Sequence, residues 1–299
     1  MKILVTGGTN GIGKGVAKAL AGLDGQMHEV IILCRSRELG EAVIEEIGHT
    51  TQNTNISIVL CDLTKLRDVK RAITDIQERH TYLDGIFINA GIGYAAKRIE
   101  TEDKMDPHFQ VNYLSQFMLT LNLLPLLEKS KLGGRVVFNV TRGGKIFWDD
   151  MQQTQKWGYE DGIHQAMVAK RMLLAKLHRI YSNKPNSKLS FIGFEVPKTV
   201  WTNQLNIIPW GMKIMATLMK YLGTFMTIEA CGAVIAPLLT ETQDQSLIKS
   251  GQFIVQSKAG YISKIDDPEI IDWALQDKLW SISLALCDDP STSKIAQSL

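Results

Sequence analysis

The sequence predicts a doubly wound parallel α/β sheet of about seven strands with helices on both faces, folded as a single domain over residues 1–299. Three observations lead there. Short apolar, β-branched runs recur along the chain, as in strands buried on both faces. Helical patterns separate them, and that alternation favours parallel pairing through crossover helices. A glycine-rich loop joins the first run to the first helix.

In chain order, Met1-Lys2-Ile3-Leu4-Val5 is the opening strand, and Val16-Ala17-Lys18-Ala19-Leu20 belongs to the helix that follows. Between them, Thr6-Gly7-Gly8-Thr9-Asn10-Gly11-Ile12-Gly13 has Gly-x3-Gly-x-Gly spacing. Such glycines let backbone N–H groups approach a pyrophosphate, which then rests on the positive end of the helix. Gly7, Thr9, Asn10, Gly11, Ile12 and Gly13 are therefore candidate dinucleotide-binding residues. Further strands are expected at Val30–Leu33, Ile56–Leu60, Gly85–Ile88, Arg135–Val140, Leu189–Val196 and Gln252–Gln256. Helices are expected at Glu38–Ile47, Leu66–Arg79, Pro107–Leu127 and Ile163–Tyr181. No internal repeat or low-complexity linker divides the chain.

Composition narrows the function classes. The 33 basic and 31 acidic residues leave a formal charge of +2, so nucleic acid is not the expected partner. Cys34, Cys61, Cys231 and Cys287 lack metal-ligand spacing; no metal is expected, and they read as reduced thiols of a cytoplasmic protein. The amino terminus enters the first strand without the features of a secretion signal. The run Ile207 to Leu222 is the most apolar surface candidate, and Lys213 and Lys220 interrupt it as a membrane span. It reads as a helix hairpin packed on the core, as a methionine-rich substrate lid at about 203–228, or as a peripheral membrane contact, with the lid favoured over the membrane.

Four further stretches fall beside the glycine loop in meaning. Cys61-Asp62-Leu63 follows the third strand and Asn89-Ala90-Gly91 the fourth; Val111-Asn112-Tyr113-Leu114 lies in the next helix; Pro197-Lys198-Thr199-Val200-Trp201-Thr202 follows the sixth strand. Together they make nearly the whole chain resemble the short-chain dehydrogenase/reductase family, which has the Rossmann fold. The resemblance implies that Asp62, with Leu63 beside it, meets the adenine. It also implies that Asn89, Ala90 and Gly91 flank the cofactor, that Asn112 is a catalytic asparagine, and that Pro197, Val200 and Thr202 hold the nicotinamide carboxamide. Leu279-Trp280-Ser281-Ile282-Ser283 is similar to the tail of the retinol dehydrogenase and protochlorophyllide reductase branch, which hints at an apolar substrate. Family members usually pair through the helices found here at about 107–127 and 163–181, so a homo-oligomer is expected.

Cofactor choice follows from Cys34-Arg35-Ser36-Arg37, which stands where an NAD enzyme usually places an acid against the ribose 2′-hydroxyl. A guanidinium suits a 2′-phosphate, which an acid would repel. NADP is the expected cofactor, with Arg35 as principal contact. Arg37 is either a second contact or a solvated charge at a helix start.

The catalytic pattern of the family is broken. Its tyrosine and lysine, four residues apart on one helix face, have only Lys170 here, in Ala166-Met167-Val168-Ala169-Lys170. Ala166 takes the tyrosine position and has no proton to give. After the fifth strand, Asn139-Val140-Thr141-Arg142 replaces the usual run ending in serine, so that Arg142, or Thr141 after a shift of one residue, takes the substrate-orienting place. An inserted loop at about 143–161 carries Trp148, Trp157 and Tyr159 toward the site. Tyr159 and His164 are the nearest replacements for the proton donor, each with an alternative surface or packing role, and His164 lies about 200° round a continuous helix from Ala166. Lys170 and Asn112 could still place the ribose and a water. Three functions are compatible: an atypical NADPH-dependent reductase of an apolar conjugated C=C or imine compound, a cyclase or isomerase that retains NADP, and a non-catalytic NADP-binding protein.

Overall fold

The computed structural model describes residues 1–23, 28–93, 97–158, 160–197, 200, 225–257, 260–264 and 267–299. Its strands are β1 (Lys2–Thr6), β2 (Glu29–Cys34), β3 (Ile56–Leu60), β4 (Gly85–Ile88), β5 (Arg135–Val140), β6 (Ser190–Glu195), β7 (Phe253–Ser257) and β8 (Gly260–Lys264). They form one sheet in the order β3-β2-β1-β4-β5-β6-β7-β8. Neighbours are parallel except β7 and β8, which pair antiparallel. The expected count of about seven is thus one short. β8 escapes the reading because an edge strand has one side in water; Ile262 is 48% exposed, and Tyr261-Ile262-Ser263 offers no continuous apolar run.

The helices are α1 (Gly11–Ala21), α2 (Arg37–Thr51), α3 (Leu66–Arg79), α4 (Pro107–Phe109), α5 (Ser115–Glu128), α6 (Asp161–Ser182), α7 (Ile228–Thr240), α8 (Gln243–Lys249), α9 (Pro268–Ile271), α10 (Trp273–Cys287) and α11 (Pro290–Ser298). The helix expected over Pro107–Leu127 is interrupted between α4 and α5 by a π-turn at Gln110–Leu114. Alternation along β1 sends Leu4 into a layer with α3, α5, α6 and α10, and sends Ile3 and Val5 into a layer with α1, α2 and α7. Helices therefore cover both faces. The chain order reverses between β1 and β4, and ligands of such sheets bind at the carboxyl ends of the strands there.

Two local features position the site. α1 and α7 cross with backbone against backbone, because a Cβ on Gly15 would strike the carbonyl of Ile228 and a Cβ on Gly232 would strike that of Gly15. The loop ahead of α6, expected to be an insertion, is packed rather than loose. Its Ile146 and Met151 join the core, and the buried Gln165 of α6 accepts from Phe147 N at 2.9 Å and donates to Met151 O at 2.8 Å. The candidate lid at about 203–228 lies outside the described residues as far as 224; beyond it, Val200 bridges Met226 and Thr227 caps α7. No helix among the described residues is long and apolar enough to cross a membrane.

Candidate cofactor and active site

The glycine loop turns sharply at Gly7 (φ 68°) and Gly11 (φ 53°), a left-handed conformation that glycine adopts without steric cost. A Cβ on Gly13 would collide with the carbonyl of Gly7 and the side-chain amide of Asn89, so the helix start presses directly onto the loop. Asn10 caps α1, its Oδ1 accepting from Gly11 N at 2.7 Å. Beneath the loop, the fully buried Thr6 hydroxyl donates to Phe87 O and accepts from Asn89 N and Ala90 N. Asn89 extends this tie, donating to Thr6 O at 3.2 Å and accepting from Asn139 Nδ2 at 3.0 Å. Three strand ends, β1, β4 and β5, are thereby locked around one point.

A cavity of about 430 Å³ opens there, lined by the glycine loop, Arg35, Asp62, Leu63 and the turn from Asn89 to Ile92. Asp62 Oδ1 accepts from the backbone and hydroxyl of Thr64, which fixes the turn after β3. Arg35 is exposed at the cavity wall, whereas Arg37 pairs with Glu41 at 3.5 Å and faces a different hollow beside β3. The closed approach at Gly13, the positive-φ turns and the amino end of α1 fit a dinucleotide pyrophosphate. Ser36, the cap of α2, accepts from Leu39 N and donates to Glu38 Oε2 at 3.3 Å, so a cation and a hydroxyl follow β2 directly and the nearest acid stands in the first turn of α2.

Asn112 does not reach freely into the cavity. Its Oδ1 accepts from Ile92 N at 2.8 Å and its Nδ2 donates to Ile92 O at 3.1 Å. Two residues that sequence reasoning missed flank it at four-residue spacing. His108 Nε2 meets Gly93 O at 2.9 Å, and Gln116 Nε2 donates to Ala90 O and to Val111 O. His108, Asn112 and Gln116 thus hold successive parts of the turn after β4. The π-turn supplies the missing fit, because its wider winding leaves Val111 O for Gln116.

On α6, Ala166 and Lys170 are both buried, at 0% and 1% exposure. Lys170 Nζ donates to Asn139 O at 3.3 Å, and burial holds its pKa down to about 7. Arg142, expected to meet substrate, pairs with Glu195 at 3.0 Å; the two extend adjacent parallel strands, where Val140 and Glu195 are register partners. That neutralises it as a carboxylate-binding cation. Thr141 is exposed. His164 lies in the unbroken first turns of α6, with its Cβ under Gly144, so the frayed start it would need to reach a substrate is not there. Pro197 is exposed and Val200 buried, while Tyr159 and Thr202 lie outside the described residues. All four cysteines are free and buried; burial raises the thiols of Cys61, Cys231 and Cys287 to about 12, which removes thiolate chemistry.

Comparison with known proteins agrees with this geometry. The family model of short chain dehydrogenases matches residues 1–150. Human polyprenol dehydrogenase is 27% identical over 225 residues, covering 73% of this chain and 66% of the relative. Human retinol dehydrogenase 13 is 31% identical over 182 residues, 59% of this chain and 53% of the relative. The short chain dehydrogenase resG of Aspergillus sclerotiorum is 37% identical over 126 residues, 42% of this chain and 34% of the relative. The chain thus matches two thirds or less of these relatives' lengths. Among solved structures, an uncharacterized protein of Mycobacterium paratuberculosis superposes with a TM-score of 0.68 at 20% identity, covering 96% of this chain and 93% of that one. An actinorhodin polyketide ketoreductase variant with NADPH superposes with a TM-score of 0.64 at 16% identity, covering 85% and 94%. This chain belongs to the short-chain dehydrogenase/reductase family of oxidoreductases.

Proposed function

We propose that the chain is an NADP(H)-dependent reductase of an apolar small molecule, working through a non-standard active site. The observation that carries the cofactor choice is the exposed Arg35 directly after β2, which lines the cavity where Glu38, turned onto Ser36, does not. The reaction class rests on Ala166. When bound, the nicotinamide supplies a hydride, and an iminium carbon that accepts it becomes an amine carbon with no further proton required. A conjugated C=C compound fits next, with its proton drawn from water. Lys170 can hold or release a proton at Nζ near neutral pH, and Asn112 acts by fixing the turn at Ile92. The names of two relatives, polyprenol dehydrogenase and retinol dehydrogenase 13, support an apolar substrate.

Fluorescence titration tests the cofactor. NADPH binds more tightly than NADH, and Arg35→Ala weakens NADPH by roughly 10- to 100-fold, the worth of one charge-assisted phosphate contact, while leaving NADH unchanged. Equal loss for both cofactors sinks the assignment. A panel of ketones, enones and imines tests the reaction: NADPH is consumed with an imine or enone and not with a simple ketone. A second reading, a cyclase or isomerase that retains NADP, is favoured by the same absent phenol; product formed with no change in the nicotinamide spectrum selects it.

A further inference from the structure

We infer that the loop ahead of α6 sets the wall of the cofactor cavity from outside it, through Asp106 and His108, with His108 as the positioning residue at the turn after β4; this rests on the reading of the cavity as a nicotinamide dinucleotide site. The local sequence explains how the pair is held. Asp106 caps α4, its Oδ1 accepting from Phe109 N at 2.8 Å, and Pro107 stands at the first helical position, where a missing N–H leaves nothing unpaired. His108 is thereby fixed one residue later, and both Asp106 and His108 are buried.

Two ties meet at the imidazole. Toward the cavity, Nε2 donates to Gly93 O at 2.9 Å; a carbonyl oxygen only accepts, so this nitrogen carries a proton. Away from the cavity, Nδ1 faces Asp106 Oδ2 at 3.7 Å and the first turn of α6, where a Cβ on Gly162 would stand 3.0 Å from Nδ1. Among the described residues Nδ1 has no hydrogen-bond partner. A buried polar atom without one is costly, and an apolar ring of similar volume would avoid that cost. What the imidazole gains over such a ring is its bond to Gly93, on the cavity side.

The other end of the tie lies in the loop. Asp106 N donates to Gln152 Oε1 at 2.8 Å, and Arg98 Nη2 donates to Gln152 O at 3.5 Å. Gln152 follows Met151, which belongs to the core, so this part of the loop is anchored. On the cavity side, Gly93 follows Ile92, whose backbone N–H and C=O are both held by Asn112, and the lining includes Asn89 to Ile92. Gly91 to Gly93 belong to no helix or strand, so side chains must fix them. A shift of the loop at Gln152 is therefore passed through Asp106 and the imidazole to the cavity wall, although none of Gln152, Asp106 and His108 lines it.

Fluorescence titration with NADPH and with NADH reads the tie. His108→Phe, which keeps a ring and loses the donor, should weaken both cofactors alike by about threefold to tenfold, the worth of one hydrogen bond. His108→Gln restores an N–H donor on a flexible chain and should recover most of that affinity; equal loss in the two variants overturns the inference. Gln152→Leu, outside the cavity, should weaken both cofactors by about twofold and quicken amide exchange at Ile92 and Gly93 in the cofactor-free protein. Unchanged affinity and exchange in this variant also overturn the inference, and it serves alone should the His108 variants fail to fold. Arg35→Ala keeps the two readings apart: its loss is confined to NADPH, whereas loss through His108 is shared with NADH. Should the unaltered chain bind neither cofactor, the reading of the cavity fails, and exchange at Ile92 and Gly93 still decides the tie.

Discussion

Along the glycine-loop rim of the cavity, the groups proposed to meet a ligand are main-chain N–H groups on the turns at Gly7 and Gly11, with Asn10 bracing the start of α1. On the α6 side, next to the cavity lining, the reverse holds. The side chains expected to carry chemistry there lack a functional atom or are engaged in structure: Ala166 has no functional atom, Asn112 holds Ile92, Arg142 holds Glu195 and Lys170 leans on Asn139. A backbone site survives substitution as long as its glycines remain. A side-chain site changes with one codon, so binding and chemistry can diverge within a single fold.

The largest effect expected from breaking this contrast is at Gly13. Gly13→Ala sets a methyl against the Gly7 carbonyl, costing about 1–3 kcal/mol of stability and abolishing NADPH binding, as thermal unfolding and fluorescence titration would show. A variant that still binds NADPH would mean that the loop yields. Next is Ala166→Tyr. At 0% exposure the phenol has no room, so calorimetry should find a loss of about 1–3 kcal/mol with no ketone reduction gained. Gain of that activity would show that only one residue separates the two sides.

Lys170 tests the α6 side through pH. Its pKa, held near 7 by burial, lies below the unfolded value of about 10, so the unfolded chain binds more protons in between. Stability from this group is full above about pH 10 and is lost as pH falls toward 7. Denaturant melts of Lys170→Met should therefore show a flatter profile across that window and greater stability at its lower end. The smallest effect belongs to Arg142→Gln, which removes a partly exposed ion pair; a shift of about 0–1 kcal/mol in urea unfolding is expected, with NADPH affinity unchanged. A marked loss of affinity instead would return Arg142 to the site.

Much of this was legible in the residues. The buried parallel strands announce themselves as apolar runs, and Leu66–Arg79 is a helix with the boundaries its pattern implies. The glycine spacing is readable because only backbone geometry is at stake, and it matches the turns at Gly7 and Gly11 and the close approach at Gly13. β8 was hidden because its residues alternate at a wet edge. The Arg142–Glu195 pair was hidden because strand register, a tertiary property, brings residues 53 positions apart together. His108 and Gln116 could have been found: their spacing of four on either side of Asn112 is a helical stripe of polar residues in an apolar segment.

The crossing at Gly15 and Gly232 acts as a hinge without play. With no side chain between α1 and α7 to compress or change rotamer, a tilt of either helix must carry the other with it. α1 carries the glycine loop at its amino end, and α7 begins at Ile228 against Gly15. Any tilt of α7 is thus delivered to the glycine loop as a rigid rotation, so that a change at one end of the crossing reshapes the cavity at the other.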